Sequence, residues 1–147
     1  MKSLACLLFS VLLLAGCGGD GQLTRGVWPE GTGMLRGHQG RFQIFVILRT
    51  ESLPDSGKTV AQIDLEAAEP AGAGTVFEAS SRNVERDGQR LKFQWTDAFG
   101  NRGTGILQPI ADEPGIYRLE LSAGELAEPR IAPYLRRYRL HLESAAP

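Results

Sequence analysis

Polar and apolar residues alternate along most of the chain beyond residue 60, the period of two that marks strands with one buried face. Leu91, Phe93 and Trp95 alternate with Lys92, Gln94 and Thr96 over 90–97. Ala61, Ile63 and Leu65 alternate with Gln62, Asp64 and Glu66 over 60–67, and Tyr117, Leu119 and Leu121 lie opposite Ile116, Arg118 and Glu120 over 116–122. Phe42 to Leu48, FQIFVIL, is instead a continuous apolar run rich in β-branched and aromatic residues, the pattern of a central strand. Shorter strands are expected at 75–79, 83–86 and 104–110.

Turn chemistry separates these runs. Asp87-Gly88 is a hairpin signal, because such a pair takes the positive φ angles of a tight primed turn. EPAGAG (69–74), AFGNRG (98–103) and ADEPG (111–115) are loops by composition. The last segment reads two ways: Ile131, Tyr134, Leu135, Tyr138 and Leu142 have helical spacing, while Tyr138, Leu140 and Leu142 alternate with Arg137, Arg139, His141 and Glu143. The unbroken alternation from Arg137 favours a strand, which would also spare the sheet an exposed edge. The expected fold is all-β, an antiparallel meander of about eight strands from roughly Gly33 to Ser144, closed into a small barrel, with a β-sandwich as the alternative.

The first forty residues follow another pattern. Lys2 and an apolar run from Leu4 to Leu14, broken only by Ser10, read as a secretory signal; about eleven residues are too few to span a bilayer core of roughly 30 Å. Glycines then crowd the stretch from Gly18 to Gly40, a composition that disfavours a helix and suits a tether in its first part. Trp28 stands out there, and an indole of that size is expected to dock on the domain. The organisation is therefore a signal peptide over 1–16, a tether over 17–32 and one β domain over 33–147.

Leu14-Ala15-Gly16-Cys17 resembles the lipobox of bacterial lipoproteins, in which small residues precede an obligatory cysteine. The resemblance implies cleavage before Cys17, lipid attachment at its sulfur, and anchoring to a membrane through the acyl chains. It also accounts for a thiol that would otherwise stand alone once Cys6 has left with the signal. In lipoproteins of Gram-negative bacteria an aspartate directly after the cysteine favours the inner membrane. Gly18 and Gly19 stand there here, so the implied location is the cell envelope, at the outer membrane facing the periplasm.

Charge and motifs narrow the function. The formal net charge is -1, and loss of Lys2 with the signal makes it one unit more negative, which gives no footprint for nucleic acid. PDSGKT (54–59) lacks the spacing of a phosphate loop, and DAFGNRG (97–103) lacks the acidic ligands of a calcium loop. His38 and His141 are far apart in sequence and have no metal-ligand spacing. No catalytic signature, cofactor or metal is expected. The densest charge feature is Arg136, Arg137 and Arg139, a candidate patch for an anionic partner, or else a face paired with Glu120 or Glu143.

Gly26-Val27-Trp28, with Arg137 or Arg139 on the last strand, resembles the arrangement of lipocalin-like barrels, where an arginine packs over the tryptophan of a Gly-x-Trp motif. A barrel that holds an apolar molecule does not depend on that resemblance: the strand count and Phe93 and Trp95 on one strand face make these two the candidate lining of an apolar cavity. Two functions follow: a non-catalytic binding module meeting an envelope protein, and a calycin-like carrier of a lipid or other apolar small molecule.

Overall fold

The computed structural model describes Trp28 and residues 31–53, 57–69 and 74–143; the lipobox, Cys17 and the rest of the tether lie outside these. Eight antiparallel strands close into a barrel in meander order: β1 (Thr32–Gln39), β2 (Phe42–Leu53), β3 (Gly57–Ala68), β4 (Thr75–Asp87), β5 (Arg90–Asp97), β6 (Arg102–Pro109), β7 (Ile116–Glu125) and β8 (Arg137–Leu142). β1 meets β8 through Leu35–Leu142, Arg36–His141 and Gly37–Leu140, so the sheet closes on itself and the sandwich alternative falls away.

The strand count agrees with expectation, but two boundaries do not. Thr75–Asp87 is one strand where two are expected; its register shifts between Ser80 and Asn83, an irregularity that interrupts the apolar alternation without ending the strand. The eighth strand is β1, inside the glycine-dense stretch, where Leu35 alone marks an apolar inward position between Gly33 and Gly37. The closing segment contains both readings in miniature: a short 3-10 helix at Pro129–Tyr134, then β8. The β4–β5 turn also differs in detail. Asp87 pairs with Arg90, and Gly88 at φ 60° is the first of two turn residues, the glycine position of a type II′ hairpin.

Inward positions of every strand fill the barrel. Leu35, Ile44, Val46, Leu48, Ile63, Leu91, Trp95, Leu107, Leu119 and Leu140 are all 0% exposed and belong to one continuous core. Trp28 plugs the end holding the β2–β3, β4–β5 and β6–β7 connections, here the lower end, with its ring centroid 5.1 Å from that of Tyr117. The 3-10 helix plugs the upper end. Its Tyr134 packs edge-on to Phe42 at 4.9 Å and stacks on Phe77, which meets Trp95 edge-on at 5.6 Å.

The ladder between β3 and β4 runs from Ala68–Thr75 to Ile63–Ser81 and stops there. Toward the lower end, β3 continues paired with β2, and β4 continues paired with β5.

Tyr138 closes the upper plug by donating its hydroxyl to the Tyr134 carbonyl at 2.8 Å. Burial pushes that phenol up from its ordinary 10.0 to about 12, and burial raises Tyr117 and Tyr134 as well. A raised phenol stabilises the fold fully below pH 10, and the contribution is lost as pH climbs through 12. The thermal midpoint is therefore expected to fall steeply across that window, at roughly 1.4 kcal/mol of stability per pH unit from this group. Tyr138→Phe, followed by melting curves at stepped pH, should flatten the fall in part, leaving the smaller shares of Tyr117 and Tyr134.

Candidate functional site

The outer face of β5–β8 carries the chemistry-bearing side chains. Inward residues of these strands are apolar, so the alternate positions turn polar groups to solvent. Hydrogen-bond register then sets them in a row. Arg90 of β5 donates its Nε–H to Gln108 Oε1 at 3.0 Å, Gln108 lies opposite Arg118 of β7, and Arg118 lies opposite Arg139 of β8. Neighbouring strands are about 4.8 Å apart, which puts three guanidiniums within one stretch of surface.

Their partners differ. Arg137 lies opposite Glu120 and meets its carboxylate at 3.1 Å, and Arg139 makes a two-pronged contact with Glu113 from the β6–β7 connection. The Arg139 hydrogen bond holds the Glu113 carboxyl below the usual carboxylate range. Arg136 lies over the Phe42 ring at 5.8 Å, on the upper side, with Arg41 also over that ring at 5.5 Å. Among the described residues Arg118 has no carboxylate partner, and Arg90 has only the neutral amide of Gln108.

A cleft of about 600 Å³ opens at the lower end of this face, walled by Arg90, Gln108 and Arg118 and by the turn residues Gln89, Pro109 and Ile110. Asp87 also reaches it, but its carboxylate is held by the Lys92 ammonium at 3.2 Å. A smaller depression between Arg118, Arg137 and Arg139 continues across β7 and β8. The surface is built of donors and suits a ligand or partner made of acceptors.

Comparison of the chain with protein-family models, with curated proteins and with solved structures finds no match.

The three sequence-predicted arginines do share one side of the molecule, but they do not form one free patch, because two are matched by the glutamates opposite and beside them. Arg118 and Arg90 were missing from that patch. Only the pairing register brings them to it, and the alternation on 116–122 already placed Arg118 on the wet face.

Phe93 and Trp95 face the interior as their alternation predicts, yet what they line is packed protein. Phe93 lies against Gly105 and Trp95 against Gly103, the residues opposite them on β6, and Trp95 donates its indole N–H to the Thr104 carbonyl at 3.1 Å. Trp28 is docked as expected, but Arg137 and Arg139 point outward to their glutamates and leave it to Tyr117.

His141 lies opposite Arg36, and His38 is two residues further along β1; both are exposed on the outside of the barrel. Among the described residues no three His, Cys, Asp or Glu side chains cluster to hold a metal. The DAFGN turn is a structural clamp. Asp97 Oδ1 accepts from the backbone N–H groups of Phe99 and Asn101, each at 2.9 Å, and the fully buried Asn101 accepts from the Glu128 N–H at 2.7 Å.

Proposed function

We propose that this chain is a non-catalytic binding module of the bacterial cell envelope, held to a membrane by acyl chains on Cys17 and meeting an anionic partner through the outer face of β5–β8. The observation that carries the reading is the filled barrel. Side chains from all eight strands occupy the interior, and Trp28 and Tyr134 cover its two ends, so the surfaces left for recognition are on the outside. On that outside Arg90 and Arg118 stand side by side in the arginine row without a carboxylate partner among the described residues.

The lipobox supports the anchor. Two or three chains on one residue hold a protein stably where one alone is marginal, at about 0.8 kcal/mol per buried methylene. Glycines at 18 and 19 support the outer membrane as the site of retention.

The test has two arms. Cells fed an alkyne fatty acid should label the wild-type chain and not Cys17→Ala, and the variant should leave the membrane fraction. Native mass spectrometry of the detergent-solubilised chain should then show the acylated mass and no further lipid. Labelling that survives Cys17→Ala would end the anchor reading, and a stoichiometric extra lipid would move the assignment to a carrier.

A further inference from the structure

We infer that the cleft between Arg90 and Arg118 binds a phosphate group; the inference rests on the binding-module reading and names the chemistry its surface takes. Like charges directly opposite on neighbouring strands destabilise a sheet, and Arg118 lies directly opposite Arg139. Glu113 matches Arg139, whereas no carboxylate among the described residues matches Arg118. The exposed Arg118 guanidinium is therefore open to an anion from outside the chain.

The polar groups around the cleft agree on the sign of that ligand. Gln108 Oε1 is occupied by the Arg90 Nε–H, which leaves its amide N–H₂ as a donor between the two arginines. Arg90 keeps its terminal N–H groups, and Arg118 keeps its whole fork. The carboxylate that reaches the cleft, Asp87, is engaged by Lys92 at 3.2 Å. The site is thus three sets of donors with one matched carboxylate at the rim.

Geometry selects among anions. Arg90 and Arg118 stand on β5 and β7 with β6 between them, so their backbones are about 10 Å apart, and both long side chains line the one cleft. One carboxylate fills one guanidinium fork. A phosphate offers acceptor oxygens in several directions and up to two charges, enough for both forks and the amide. Pro109, Ile110 and Ala111 add an apolar wall on one side of the open cleft.

The cleft lies at the same end as Trp28 and the start of β1. Phosphate there has two sources, a lipid headgroup of the anchoring membrane and a soluble phosphate compound, and both present the same oxygens.

The experiment uses the full chain in neutral detergent with ¹⁵N-labelled arginine, following the Nε–Hε resonances. One arm titrates inorganic pyrophosphate; the other mixes phosphatidylglycerol into the micelles. The Arg90 and Arg118 resonances should shift saturably, and Arg118→Gln should weaken binding about tenfold, equivalent to about 1.4 kcal/mol. Arg130→Gln, an exposed upper-end arginine paired with Glu128, should leave the affinity within about twofold.

A response to phosphatidylglycerol alone assigns the headgroup, and a response to pyrophosphate assigns a soluble ligand. Silence in both arms, or equal weakening by the two variants, overturns the inference. A silent cleft in a chain that still labels at Cys17 and carries no extra lipid removes this inference and leaves the module reading standing.

Discussion

Gly105→Ala is expected to cost about 3 kcal/mol or more, the upper part of the range for overpacking a core. A methyl group on Gly105 would fall inside the ring of Phe93, within 2.7 Å of its Cε1 and nearer still to its Cζ. The ring is 3% exposed and enclosed by the core, so it has nowhere to swing. Phe93→Leu should therefore recover part of the loss, and a urea-denaturation double-mutant cycle over the two sites should show strong coupling. Gly103→Ala should be worse and beyond such rescue. Its added methyl would meet the Ser122 carbonyl as well as Trp95, and a backbone oxygen cannot be trimmed by substitution. A Gly105→Ala protein as stable as wild type would mean that the rings do not lie on the glycines.

Trp95→Ala should cost about 3 to 5 kcal/mol, a large share of the total stability of a domain this size. The side chain is 0% exposed and is an edge-on partner of Phe77. Phe77 in turn stacks on Tyr134, so the cavity would open directly beneath the upper plug. The expected signature is a lowered urea midpoint together with loss of near-ultraviolet dichroism from the ordered aromatic cluster. Trp95→Phe, which keeps most of the volume, should lose far less. Equal losses from the two variants would place the contribution in the indole N–H bond to Thr104 rather than in packing.

These two sites show why the barrel was legible in the sequence and its filling was not. The alternation of Leu91, Phe93 and Trp95 states which face is buried, since period two is a local property of the strand. It says nothing about what stands opposite, because Gly103 and Gly105 become partners of Trp95 and Phe93 only through the β5–β6 register. An inward row of large aromatics therefore reads equally as a cavity wall or as a packed core, and the glycines that decide between them lie on the next strand, eight residues from Trp95 and twelve from Phe93.

The same reason governs the site. Arg137 and Arg139 were visible as a dense local cluster, while Arg90 and Arg118 join them through strand pairing alone. β1 escaped notice for a local reason: a strand holding Gly33 and Gly37 at inward positions has almost no apolar signal, yet Gly37 suits a place where a Cβ would collide with the Arg139 carbonyl.

The short ladder between β3 and β4 divides the barrel into a fast sector and a slow one. Beyond Ile63 and Ser81 each of those strands keeps one neighbour, so half of their amides there lack a strand acceptor and exchange with solvent through local opening. β5 and β6 are bracketed on both sides along most of their length, and β7 as far as Glu120, and their amides there wait for the whole barrel to come apart. Arg90, Gln108 and Arg118 belong to that slow sector. A partner arriving there finds its contact groups on strands already set in place, and loses little affinity to ordering them.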